Sequence, residues 1–315
     1  MSPLHGVRGD DDRDHGDHGD HGERGERGER ALEVLATGPQ ALVQDGGRPG
    51  HLAVGVGRSG AADHESYRLG RRLVGNPPGA ASLEVTLGGL RLRAHGDLLV
   101  CLTGAPAPAT VDGRPVGHAA HVHLDDGAEL ALGVPPVGLR TYLAVRGGVD
   151  VPAELGSRST DTMSGLGPPP LAEGAVLPVG PVPADWSPVD QVAVAAPASG
   201  EVVLEVTPGP RRDWFADPDA LATTSWQVSD RSDRKGVRLA GEGLVRADAA
   251  RDRELPSEGM VRGALQVPPG GEPVLLLADH PVTGGYPVIG VVRPHDVDRA
   301  AQLVPGQAVR LRWAG

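Results

Sequence analysis

From Leu32 onward the chain alternates short apolar runs with Gly, Pro and Asp punctuation. Leu90–Leu92, Leu98–Leu102, Ala119–Leu124, Glu129–Gly133 and Leu139–Val145 carry the pattern in the first half, and Val202–Val206, Val274–Leu277 and Val288–Val292 in the second. Runs this short between turn residues predict many short strands, hence a mainly β barrel or sandwich. One helix is predicted in the first half. Asp63 caps it, Glu65 and Tyr67 begin it, Leu69, Leu73 and Val74 form one face, and Gly75-Asn76-Pro77-Pro78 ends it. Two shorter helices are expected near Pro218–Ala222 and His295–Leu303.

The stretch Pro178–Pro188 has no periodic pattern and reads as a linker. The organisation expected is therefore a tail over 1–30, a β-rich domain over 31–180, a linker over 181–190 and a second β-rich domain over 191–315. The tail repeats His-Gly-Asp and Arg-Gly-Glu, buries nothing and is expected to be disordered. Its histidines, His5, His15, His18 and His21, read as part of a solvated low-complexity segment rather than as a metal site.

Composition narrows the chemistry. The formal net charge of −11 leaves no basic stripe for a nucleic-acid backbone. No apolar run is long enough to span a membrane and the N-terminus lacks a signal-peptide core, so a cytoplasmic protein is expected. A single cysteine, Cys101, permits no intrachain disulfide and reads as a core thiol in Leu98–Leu102. Lys235 is the one lysine, and Gly236 follows it, so there is no P-loop and no context for covalent biotin. His118, His121 and His123 lie on a strand; without acidic or sulfur ligands at fixed spacing they read as a half-exposed edge, and no metal is expected.

What remains is polar loops on β platforms. Asp279 to Pro287 places a carboxylate, Thr283, the pair Gly284-Gly285 and Tyr286 between two apolar runs. Asp45-Gly46-Gly47-Arg48 repeats the design near the start of the chain. Paired glycines admit positive φ and close approach of another group. Arg231 and Arg234 lie in a Ser-Asp-Arg repeat that fits either bidentate carboxylate binding or a self-paired charged edge. Glu258 precedes a strand carrying Gln266 and fits either a general base or a turn residue.

Several segments, in this order, resemble the family of the 5-oxoprolinase C subunit, also described as allophanate hydrolase subunit 2 or biotin-dependent-carboxyltransferase-like. They include Gln44-Asp45-Gly46-Gly47-Arg48-Pro49-Gly50, Ser59-Gly60-Ala61-Ala62-Asp63, Leu73-Val74-Gly75-Asn76 and Tyr142 to Gly148. Leu155 to Thr160, Ser229 to Arg234, Ser257-Glu258, Gly263 to Pro268 and Thr283 to Pro287 continue the set. The resemblance covers roughly residues 33–312 and implies two tandem cyclophilin-like β-barrels with a few short helices.

The resemblance also implies a subunit of a heteromeric, ATP-dependent 5-oxoprolinase that opens pyroglutamate to glutamate. Its partners would be proteins like the A and B subunits of 5-oxoprolinase, with ATP handled on a partner and no cofactor bound covalently here. Two alternatives stay open: a carboxyltransferase module moving a carboxyl group from carboxybiotin to urea or a related amide, and a non-enzymatic regulatory partner of a kinase-inhibitor-like protein. The catalytic candidates are Asp45, Glu258 and Asp279; the substrate-binding candidates are Arg48, Ser59, Arg231, Arg234, Gln266, Thr283, Gly284, Gly285 and Tyr286. Asp45, Arg48 and the Thr283–Tyr286 loop are expected on a common cleft, with Arg234 and Glu258 near it. The loop itself is expected to pack no core.

Overall fold

The computed structural model describes residues 30–251 and 253–315, so the predicted disordered tail, Arg30 apart, lies outside the described residues. The first-half strands are β1 (Ala31–Thr37), β2 (Gln40–Gln44), β3 (Ser82–Thr86), β4 (Leu90–His95), β5 (Leu98–Gly104) and β6 (Ala109–Val111). They continue as β7 (Arg114–Val116), β8 (His121–Leu124), β9 (Glu129–Leu132), β10 (Arg140–Val145) and β11 (Val176–Pro178). They form two sheets, ordered β11-β1-β4-β9-β6-β7 and β2-β3-β10-β5-β8.

Sequence pattern and layer agree strand by strand. In β4 buried and more exposed residues alternate, as a sheet with one wet face requires. In β10 every residue is buried, because helix α1 (His64–Leu73) covers the outer face of its sheet. Leu143 and Val145 point into the main core between the sheets. Ala144 and Cys101 point the other way and pack under Leu73 and Val74 of the helix region. The helix starts where Asp63 accepts a bond from Ser66 N at 2.9 Å, a cap that contributes about 1 kcal/mol.

The second half carries β12 (Val202–Pro208), β13 (Trp226–Val228), β14 (Gly236–Ala240), β15 (Glu258–Gly259), β16 (Ala264–Gln266) and β17 (Val274–Leu276). β18 (Thr283–Gly284), β19 (Val288–Val292) and β20 (Ala308–Trp313) complete it, with short helices α2 (Ala220–Thr223) and α3 (Pro294–Ala300). Seven of these strands close a barrel in the order β12-β19-β16-β17-β14-β13-β20. Parallel pairing of Val202–Val206 with Val309–Trp313 closes it. Its core is centred on Trp226, Leu265, Leu275 and Ile289. The fold is thus mainly β with few helices, as the strand pattern predicts. Residues 179–201 contain no helix or named strand.

The sheets and the barrel meet along a seam. Ala62, Ala278 and Ala301 form a small buried cluster there, and side chains this short let the two backbones come close. Around it Gln302 Nε2 donates to Asp63 at 2.8 Å, and His64 N donates to Asp298 at 3.0 Å. Asp45, Arg48, Ser59, Arg234 and Asp279 lie at this seam.

Candidate functional site

β2 delivers its last residue, Gln44, into the turn Asp45-Gly46-Gly47-Arg48. Gly47 has φ +80°, and a Cβ there would lie 2.5 Å from Arg58 O, so only glycine fits. Asp45 is buried and saturated. It accepts from Ser157 Oγ at 2.6 Å, Ser159 Oγ at 2.5 Å, Arg158 N at 2.7 Å and Gly47 N at 2.8 Å. The carboxylate thereby shapes the Ser157–Thr160 loop around itself. Arg48 is equally buried; it donates to Ser159 O at 2.5 Å and lies 3.9 Å from Asp161.

The loop leads to Ser59, whose φ of +51° is uncommon for a residue with a side chain. Its hydroxyl donates to Asp279 Oδ1 at 2.7 Å, across the seam. Asp279, just beyond β17, also accepts from Thr162 N at 3.0 Å and Thr162 Oγ1 at 2.7 Å. Arg234 donates to both of its oxygens, at 2.9 and 3.0 Å, and to Gly60 O at 2.6 Å. A further Arg234 nitrogen bonds Glu84 of β3, which takes Tyr142 Oη at 2.7 Å and Ala62 N at 2.8 Å. Arg140 stands 3.4 Å from the same carboxylate. Burial alone would raise the Glu84 and Asp279 carboxyls, but Arg234, joined at Glu84 by Arg140, outweighs it and holds both below their usual range. Burial would likewise lower Arg234, but the two carboxylates keep it charged. This buried cluster, with every carboxylate oxygen engaged, fixes geometry and has little capacity to exchange protons.

A second group lies beside it. Glu258 of β15 pairs in register with Gly284 of β18. The Arg211 guanidinium bonds the Glu258 carboxylate and holds it below the usual range. Gln266 Nε2 donates to Tyr286 O at 3.3 Å. A Cβ on Gly284 would lie 2.5 Å from that amide nitrogen and 3.4 Å from Met260 Cγ, so this loop is packed, contrary to expectation. Gly285 is less confined, its nearest neighbour being Leu255 O at 3.4 Å, and Thr283 and Tyr286 are exposed. The two groups are joined by residues 280–282: Met260 N donates to Val282 O at 2.8 Å, and Gly57 approaches His280 O and Val282.

The structure therefore links Asp45, Arg48, Ser59, Arg234 and Asp279 in one network, and sets Glu258, Gln266, Thr283, Gly284, Gly285 and Tyr286 next to it. Arg231 belongs to neither: its side chain is 67% exposed and reaches toward Glu272. Sequence reasoning missed Glu84, Arg140, Tyr142, Thr162 and Arg211. Glu84 alone carried a signal, as a lone acid inside the apolar strand Ser82–Thr86. Among the described residues no group of three or more His, Cys, Asp or Glu side chains is placed to hold a metal. His121 is bonded to Leu73 O at 2.7 Å, and burial pushes the Cys101 thiol up to about 12.

The chain belongs to the family described as carboxyltransferase domain, subdomain A and B, which matches residues 54–313. It is 38% identical over 283 residues to the C subunit of 5-oxoprolinase from Escherichia coli, covering 88% of this chain and 89% of that protein. It is 30% identical to the Haemophilus influenzae protein of the same name over 292 residues, covering 89% of this chain and 90% of that one. The urea amidolyase of Lachancea kluyveri is 32% identical over 308 residues, 89% of this chain but 17% of that enzyme. Among solved structures, the K. lactis urea amidolyase superposes with TM-score 0.84 at 30% identity, over 90% of this chain and 19% of that one. TTHA0988 superposes with TM-score 0.80 at 34% identity, over 90% of this chain and 55% of its own. No helix among the described residues is long and apolar enough to cross a membrane.

Proposed function

We propose that this chain is a subunit of an ATP-dependent 5-oxoprolinase, hydrolysing 5-oxoproline to glutamate only in the company of partners like the A and B subunits of that enzyme. The observation that carries this reading is the coverage: the match to the E. coli C subunit takes in 89% of that protein, whereas the urea amidolyase match takes in 17%. A lactam carbonyl is unreactive because nitrogen donates into it. Phosphorylating its oxygen makes the carbon electrophilic; water adds there, the ring C–N bond breaks, the nitrogen takes a proton to become the amine of glutamate, and a second water hydrolyses the acyl phosphate so formed to the carboxylate and free phosphate. The chain has no P-loop lysine, so the phosphoryl donor belongs on a partner.

In this reading the mouth of the seam binds the ring. Asp45, Asp279, Arg48 and Arg234 position the loops that carry Ser59 and Thr162, and Thr283 and Tyr286 meet the substrate. Glu258, ionised beside Arg211 and partly exposed, is the proton acceptor for water. The test is a drop-out reconstitution. Glutamate release from 5-oxoproline with ATP should require this chain and both partners. Robust 5-oxoproline-dependent ATP turnover by the isolated chain, or undiminished activity without it, would contradict the proposal.

A further inference from the structure

Trp214 and Phe215 are buried in the barrel core, and a short antiparallel contact holds residue 246 beside them. Ala216 N donates to Val245 O at 3.0 Å and Ala247 N to Trp214 O at 2.9 Å. The Arg246 guanidinium thereby lies 5.5 Å from the centroids of both rings. The chain then turns back, Arg253 N donating to Ala250 O at 3.3 Å, and brings the Arg253 guanidinium to 5.1 Å from the same Trp214 ring. Two cations share one indole. An indole face attracts a cation, yet two like charges against one ring repel each other, and an anion between them reverses the sign.

The described acids nearby do not supply that anion. Asp248 is bonded to Arg251 at 2.6 Å and Glu258 to Arg211, and no described carboxylate forms an ion pair with Arg246 or Arg253. Asp252 lies outside the described residues. Burial lowers the Arg246 pKa, and no described acidic neighbour offsets it.

The pair stands at the Thr283–Tyr286 loop. Arg246 donates to Val267 O at 3.1 Å, and Val267 N donates in turn to Pro287 O at 3.0 Å. Leu255, two residues past Arg253, presents its carbonyl 3.4 Å from where a Cβ on Gly285 would lie. The backbone N–H groups of Gly285 and Tyr286 donate to no described residue. Glu258 pairs with Gly284, one residue back. Other arginines around these residues are already engaged: Arg211 with Glu258, Arg234 with Glu84 and Asp279, and Arg262 with Asp298 at 2.6 Å.

Guanidinium forks suit a carboxylate, which takes paired N–H donors. 5-Oxoproline carries one on the ring carbon across the nitrogen from the lactam carbonyl. Glu258 and its water act on the carbonyl carbon, where a phosphoryl group would also ride. The arginines past Gly285 therefore fall to the other end of the molecule.

We propose that Arg246 and Arg253 clamp the carboxylate of 5-oxoproline beside Gly285 and Tyr286, setting the lactam carbon against Glu258. The inference rests on the reading of the reaction above, and its test is separable from it. Binding to the isolated full chain is measured by calorimetry for 5-oxoproline, for 2-pyrrolidone, which lacks the carboxylate, and for inorganic phosphate. The wild type should prefer 5-oxoproline to 2-pyrrolidone. Arg246→Gln and Arg253→Gln should each weaken 5-oxoproline by at least about tenfold and leave 2-pyrrolidone unchanged. Arg253 is exposed, so the melting temperature of its variant should stay within a degree or two of wild type. Arg58→Gln, at the N-terminal glycine turn where Arg58 donates to Gly46 O at 3.3 Å, should bind 5-oxoproline as the wild type does.

No binding of 5-oxoproline by the wild type, equal affinity for the two lactams, or unchanged affinity in either Arg246→Gln or Arg253→Gln would overturn the proposal. So would a loss that appears in Arg58→Gln instead, or a loss of phosphate binding in the two variants with 5-oxoproline unaffected. Glutamate release by the reconstituted complex reports separately on the reaction. Carboxylate-dependent binding that the variants lose, with no glutamate from the wild-type complex, would sink the reaction alone. Glutamate from a complex whose chain binds 5-oxoproline equally well in wild type and variants would sink the clamp alone.

Discussion

Replacing Arg234 by Met keeps the side chain's bulk and removes a buried charge that binds the sheets to the barrel. In the wild type its guanidinium bonds both oxygens of Asp279, one oxygen of Glu84 and the carbonyl of Gly60, all buried. Removing one partner of such a cluster leaves carboxylates in a dry site, a loss of about 3–5 kcal/mol. At about 2–4 °C per kcal/mol the melting temperature should fall by about 6–20 °C. The pH dependence separates this cause from simple loss of packing. Both carboxyls are depressed in the folded wild type, so their contribution is complete above the unfolded values near about 4 and is lost as pH falls through the folded ones. Without Arg234, Asp279 keeps only neutral donors, and Glu84 keeps Arg140. Their folded values then rise, protonation relieves the burial, and the deficit measured at pH 7.5 should shrink by pH 5. Arg231→Met, three residues away and exposed, should change stability by no more than about 0.5 kcal/mol. An Arg234→Met deficit under about 1 kcal/mol at pH 7.5, or one that does not change with pH, would refute the reasoning.

Other outcomes follow from single contacts. Gly284→Val should displace the Gln266 amide and lower the melting temperature measurably, since a Cβ has 2.5 Å to that nitrogen; a thermally silent variant would contradict the packing described. His64 is held down to about 4 by burial and the charge of Arg262, below the unfolded value of about 6.5. Its contribution to stability is therefore full above about pH 6.5 and is lost as pH falls toward 4. His64→Asn should flatten the melting-temperature curve over that window, and an equally steep curve would count against it. In the reconstituted complex Glu258→Gln should lower kcat by at least about a hundredfold with KM little changed; a pure KM effect would assign the residue to binding.

The sequence showed most clearly what depends on neighbours along the chain. The α1 boundaries follow from Asp63 as cap and Gly75-Asn76-Pro77 as stop, and the last helix, expected over His295–Leu303, forms over Pro294–Ala300. The glycine-marked loops at Asp45 and Asp279 were visible because close backbone approach leaves few other residue choices. Illegible was whatever depends on pairing between distant segments. Arg234 and Arg231 share one Ser-Asp-Arg repeat, and nothing local says which of them turns inward; the turn into β14 at Gly236 decides it. Glu84 finds Arg234 from 150 residues away. Gly284 reads as a flexible turn until the Gln266 side chain of β16 is placed against it.

The central claim concerns the substrate, and one experiment addresses it directly. The chain is mixed with its two companion subunits, ATP and isotopically labelled 5-oxoproline, beside a parallel reaction supplying urea and a carboxybiotin carrier. Labelled glutamate should form only in the first, and only when this chain is present. Carboxylation of urea in the second, with no glutamate in the first, would contradict the account.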